Sequence, residues 1–135
     1  MKISTVITTD HLRTQATHLR SGNQIITDAP TDNHGKGEAF SPTDLMSTSL
    51  AACMMTIIGI EADRLQLPQP QMTVDVTKIM AANPRRVAEI HLQVQISCPA
   101  ATDTQRTQLE TAGLNCPVAK SLHPDLQQHI VFHWQ

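Results

Sequence analysis

Three cysteines and seven histidines are the residues of this 135-residue chain best suited to chemistry. The cysteines stand at 53, 98 and 116. Their number is odd and none forms a CxxC pair, so neither a disulfide framework nor a zinc knuckle is implied. The histidines stand at 11, 18, 34, 91, 123, 129 and 133. No HExxH occurs, and His129 and His133 lie in strand-like sequence, where four residues span about 13 Å, too far for direct chelation. No metal site and no bound cofactor are expected. The loop Gly35 to Glu38 (GKGE) has two glycines but lacks the strand-turn-helix setting of a phosphate cradle.

Cysteine chemistry needs the thiolate, so what matters is where each thiol sits. Cys53 falls in the middle of an apolar stretch, about twelve residues past its start, where a helix dipole gives little help and burial raises the pKa. If Cys53 reacts, an arginine or lysine must be brought to it. Cys116 precedes Pro117, which suits the first position of a helix, so Cys116 would be the N-cap, where free N–H groups favour an anion. On these grounds Cys116 is the better acidic thiol, and the residues alone do not choose Cys53 over it. Cys98, beside Pro99 at a strand end, reads as a small buried hydrophobe, and Met54 and Met55 as core filler.

The element that must carry Cys53 runs from Phe40 to Ile60. Ser41 can cap it, Pro42 suits its first turn, and Asp44 completes a capping box. From Leu45 to Ile60 apolar or small residues occupy every face, which predicts a central helix wrapped by other structure. Beyond Ile60 the helix gains a polar face and should stop before Pro68. Upstream, Lys2 to Thr9, Leu12 to Leu19 and Gln24 to Thr27 read as an antiparallel meander with a turn at Arg20 to Asn23, followed by a surface loop from Asp28 to Ala39. Downstream, Met72 to Met80 and Val87 to Ser97 alternate as a long hairpin. Thr102 or Asp103 caps a helix ending near Leu114 and Gly113, Cys116 starts a short helix, and Ile130 to Trp134 is a closing strand. The order predicts a single α+β domain over residues 1–135 with a mainly antiparallel sheet. One sheet covers one face of an all-apolar helix, so a second subunit is the natural cover for the rest.

Composition narrows the function. Two Phe, one Trp, no Tyr and a net charge of −2 offer no base-stacking platform and no basic run, so no nucleic-acid partner is expected. The Met1 to Asp10 segment lacks the layout of a signal peptide, and the sixteen residues from Leu45 to Ile60 rise only about 24 Å, short of a ~30 Å hydrocarbon core. The expected location is the cytoplasm, without membrane insertion.

SPTDLMSTSLAAC, followed about sixty residues later by CPVAKSL, resembles the OsmC/Ohr family of thiol-dependent hydroperoxide reductases, as do SGNQIITDAP and the element order over nearly the whole chain. The resemblance implies an OsmC-like fold and an intertwined homodimer with both long helices at its centre. It implies that Cys53 is the peroxidatic and Cys116 the resolving cysteine, that an N-terminal arginine (Arg20, with Arg13 as competitor) holds the thiolate, and that a dithiol, in this family often a lipoylated protein, returns the disulfide to thiols. Organic hydroperoxides would be the substrates. Members specialised for them carry Glu after the proline that opens the helix. Here Thr43 stands there, and neither Asp44 nor Glu38 is a clean replacement. The departure keeps a second reading open, a non-enzymatic dimer that binds a small apolar ligand between its subunits.

Overall fold

The computed structural model describes Met1–Gln135, in which three strands precede a long helix and three follow it, with two shorter helices before the last strand. The chain divides into two compact units, Met1–Met46 and Ser47–Gln135.

In the first unit, β1 (Ser4–Asp10), β2 (Arg13–His18) and β3 (Gln24–Asp28) form an antiparallel meander in the order β1-β2-β3, as the alternation predicts. Its apolar residues are not covered by the chain itself: Val6, Ile7, Ile25 and Ile26 are all exposed. The segment from Asp28 to Ala39 departs from the expected surface loop at its first residue. Asp28 ends β3 and is buried, with its amide donating to the carbonyl of Phe40 at 3.0 Å.

Helix α1 (Pro42–Arg64) starts as its sequence dictates. The Ser41 amide donates to Asp44 Oδ2 at 2.9 Å, and the Asp44 amide donates to Ser41 Oγ at 3.0 Å, so two otherwise orphaned donors are satisfied reciprocally. Twenty-three residues rise about 34 Å. By length and composition the helix could therefore cross a membrane, contrary to the shorter estimate from its apolar run, and a core helix of a soluble protein meets the same test. Burial also departs from expectation. Ser47, Leu50, Ala51, Met54, Ile58 and Ala62 recur at helical spacing and are buried, while Ile60 on another face is 59% exposed. One stripe of α1 is covered by its own chain, rather than every face.

In the second unit, β4 (Gln71–Ala81), β5 (Arg86–Ser97) and β6 (Gln127–Trp134) form a sheet in that order. The β4–β5 hairpin is antiparallel, and β5 and β6 run parallel. Parallel neighbours need a crossover, and α2 (Asp103–Leu114) and α3 (Pro117–Ser121) lie within it. The mixed pairing and the split into two three-stranded sheets refine the single, mainly antiparallel sheet expected from element order. Strand β6 also begins three residues earlier than predicted. Gln128 belongs to its inward face and donates to the Ala119 carbonyl at 2.9 Å, so a polar residue continues the alternation of Ile130, Phe132 and Trp134.

The core of this unit takes Ile90, Leu92, Val94 and Ile96 from β5, Leu50, Met54 and Ile58 from α1, and Leu109 from α2, all fully buried. Each side chain of this size contributes about 1.5–3 kcal/mol through burial. Thr102 caps α2 through a capping box with Gln105. Gly113, near the end of α2 as expected, lets the helix approach α1: a Cβ there would lie 2.8 Å from Ile58 Cγ1 and 3.0 Å from Met54 Cγ. Asn115 terminates the helix.

Candidate active site

Two groups of side chains stand out, one in each unit. In the second unit the Cys53 thiol, partly exposed two turns into the buried part of α1, is a neighbour of Cys116, close enough to act on its ionisation. Cys116 is the N-cap of α3, with Pro117 behind it, as its sequence predicts, and its sulfur accepts from the Ala119 amide at 3.4 Å. Both cysteines are thiols, as is Cys98.

The ionisation of Cys116 goes against the sequence argument. The capping amides of Ala119 and Val118 favour its thiolate, but the residue is fully buried, and desolvation pushes its pKa up. The neighbouring Cys53 thiol, and the charge it would carry, raise it further. Cys116 is thus the thiol that keeps its proton, and the helix start is outweighed by burial. Cys98 is buried with its thiol donating to the Pro68 carbonyl at 3.7 Å, as expected of a structural residue.

In the first unit Arg13 and Asp28 are cross-strand partners on β2 and β3. Arg13 Nε donates to Asp28 Oδ1 at 2.6 Å and Nη2 donates to Oδ2 at 2.8 Å, a bidentate pair in which Asp28 is 2% exposed and Arg13 23%. The Glu38 amide donates to Asp28 Oδ2 at 3.0 Å, and the Glu38 carboxylate lies 3.6 Å from Arg13 Nη2. The Arg13 hydrogen bonds hold the Asp28 carboxyl below the usual carboxylate range despite its burial, with the Glu38 amide adding to the effect. Arg13 itself is held more firmly protonated, first by the hydrogen bonds it donates to Asp28.

The four candidate site residues therefore separate. Cys53 and Cys116 are brought together. Arg13 is fixed in a bidentate pair, whereas Arg20, the first choice from sequence, lies exposed in the turn after β2. Thr43 is engaged with its own cap, its hydroxyl 3.2 Å from Ser41 Oγ. Sequence reasoning missed Asp28 and left Glu38 without a partner. The expected turn was one residue late: a turn over Arg20 to Asn23 sets Gln15 opposite Asp28, whereas the observed β2–β3 hairpin is centred between Arg20 and Ser21 and sets Arg13 there.

A mixed α+β chain with two three-stranded sheets, a long cysteine-bearing helix and a second cysteine capping a short helix beside it defines a class of small thiol proteins. The description "OsmC-like protein" matches residues 35–129, and the chain belongs to this family. A structure from Psychrobacter arcticus 273-4, named for osmotic-stress induction and a detoxification response, is 51% identical, with 98% of this chain and 96% of that one covered and a TM-score of 0.92. An organic hydroperoxide resistance protein OsmC from Legionella pneumophila is 15% identical over 98% of this chain and 97% of that one, with a TM-score of 0.70. An organic hydroperoxide resistance protein from Elizabethkingia anophelis is 12% identical over 100% and 98%, with a TM-score of 0.73. At these two identities the likeness concerns the fold. Nothing matches among curated proteins.

Proposed function

We propose that the protein is a cysteine-based peroxidase that reduces organic hydroperoxides, acting in the cytoplasm in defence against oxidative stress. The Cys53 thiolate attacks the distal oxygen of the hydroperoxide. The O–O bond breaks, the alkoxide leaves and takes a proton to become the alcohol, and Cys53 is left as a sulfenic acid. The Cys116 thiol then attacks the Cys53 sulfur, losing its proton as the sulfenic oxygen departs as water, and a Cys53–Cys116 disulfide remains. A dithiol reductant, such as a dihydrolipoyl group, restores both thiols by exchange and is itself oxidised to a disulfide.

The observation that carries this reading is the adjacency of Cys53 and Cys116 with Cys116 biased toward its protonated form. A resolving thiol that keeps its proton leaves the more exposed neighbour as the attacking group. Arg13 is the arginine we assign to the thiolate and the leaving oxygen, because its bidentate partner holds the guanidinium in one orientation while Arg20 lies exposed in the turn after β2. The homodimer belongs to the same proposal. The uncovered faces of α1 and the exposed Val6, Ile7, Ile25 and Ile26 are apolar surface that a second copy would bury.

Steady-state reduction of cumene hydroperoxide with dihydrolipoamide tests the reading. The wild type should turn over and Cys53→Ser should not. Equal rates for the two would overturn it and favour the ligand-binding dimer.

A further inference from the structure

The outward face of the β4–β5–β6 sheet carries a second polar cluster, unconnected with the thiol chemistry. Glu89 and His91 are two apart on β5 and so share a face. The parallel register of β6 sets His129 opposite His91 and Gln127 opposite Glu89. The two imidazoles stack with centroids 4.5 Å apart and ring planes 26° from parallel. Glu89 Oε1 lies 3.1 Å from His129 Nε2 and 3.7 Å from His91 Nε2, and all three ligand atoms fall within 4.8 Å of one another. Gln127 Oε1 is also 3.1 Å from His129 Nε2.

A surface ladder of hydrogen-bonded side chains would leave every polar atom either paired or wet. His91 Nε2 is neither. It is sealed from solvent and has no hydrogen-bond partner, although it faces the carboxylate and the second imidazole. A buried nitrogen left without a partner costs free energy, and such an atom calls for an explanation. A cation held between the three groups supplies one.

We propose that Glu89, His91 and His129 form a binding site for a divalent transition ion of the zinc class. Two neutral imidazoles and a carboxylate are a ligand set for zinc, cobalt or nickel rather than for calcium or magnesium, which prefer oxygen. In a tetrahedral zinc site with bonds of ~2.0–2.1 Å, ligand atoms stand about 3.3 Å apart and each imidazole aims an in-plane lone pair at the ion, so on binding the three atoms draw together and one ring turns out of the near-parallel stack. Glu89 Oε1 is within that distance of His129 already. The Gln127 carbonyl oxygen, or water, can complete the fourth position. Because all the ligands come from two hydrogen-bonded neighbouring strands, the site is held by rigid backbone rather than by a loop. His133 lies on the same face, where its Nε2 is 2.7 Å from Gln93 Oε1, and is no part of the cluster.

Chelator-stripped full-length protein with all three cysteines replaced by serine removes the thiols as competing ligands. Calorimetric titration of that protein with zinc chloride should give one ion per chain at micromolar or tighter affinity. His91→Gln and His129→Gln should each weaken binding by at least about tenfold, and His133→Gln should leave it unchanged. Circular dichroism would check that each variant is folded. If the cysteine-free chain does not fold, the wild type is titrated with cobalt chloride instead. Visible d–d bands without sulfur-to-cobalt charge transfer, lost in His129→Gln, are then expected. Absence of saturable binding, binding that survives both His91→Gln and His129→Gln, or sulfur charge transfer alone would overturn the proposal.

Discussion

The two buried polar pairs of this molecule respond to burial in opposite ways. Asp28 is buried, yet its carboxyl is held below the usual range, whereas Cys116 is buried and its thiol is pushed up. The difference lies in the partners. Asp28 receives two charge-assisted hydrogen bonds from a guanidinium and a third from a backbone amide, which together outweigh desolvation. Cys116 receives amide hydrogen bonds but no cation, and its closest titratable neighbour is another acid. Burial alone therefore predicts the direction at Cys116 but not at Asp28. In the proposed mechanism the contrast divides the labour: one pair keeps a charge fixed and the other keeps a proton until it is needed.

The largest expected effect comes from removing the protonated thiol. Serine is itself a favoured N-cap, so Cys116→Ser should preserve α3 while removing the resolving sulfur. With excess cumene hydroperoxide and no reductant it should consume about two equivalents, one to form the Cys53 sulfenic acid and one to carry it to the sulfinic acid, and then stall, as read by mass spectrometry. Sustained turnover at the wild-type rate would break the contrast. Next in size is the arginine. Arg13→Met should slow cumene hydroperoxide turnover about a hundredfold. Arg20→Met should leave the rate unchanged. A reversal of the two would return the role to the exposed arginine.

Asp28→Asn sharpens the comparison through pH. A carboxyl whose pKa is lower folded than unfolded contributes stability that is present above the unfolded value, near 3.9, and is lost as pH falls through the lower folded value. Urea denaturation of the wild type should therefore weaken as pH falls below about 4, and Asp28→Asn should be weaker at neutral pH with a flatter acid limb. A parallel loss at all pH values would show that the carboxylate charge contributes nothing. A smaller effect is expected at the packing that seats α1: Gly113→Ala places a methyl within 3.0 Å of Ile58 and Met54, and should cost about 1–3 kcal/mol in the same assay.

Much of the fold was legible because its signals are local. Ser41, Pro42 and Asp44 specify the start of α1 within four residues, and Thr102 with Gln105 does the same for α2. The hairpins follow from alternation bounded by turns. The parallel pairing of β5 with β6 could not be read that way, since nothing near Gln127 records which strand it will join, and the His91 and His129 stack depends on that register. The candidate site was half legible. Cys116 was recognisable as a cap, but its ionisation depends on distant residues that bury it. Asp28 was placed in a loop because its short polar neighbours looked like one, and the register that pairs it with Arg13 outweighed that local signal.

The central claim is that Cys53 and Cys116 form one redox unit from which Cys98 is excluded. Reduced protein is treated with one equivalent of cumene hydroperoxide, the remaining thiols are alkylated, and the digest is mapped by mass spectrometry without reduction. The expected result is an intrachain Cys53–Cys116 disulfide with Cys98 fully alkylated. A disulfide that uses Cys98, or three alkylated thiols after the peroxide has been consumed, would contradict it.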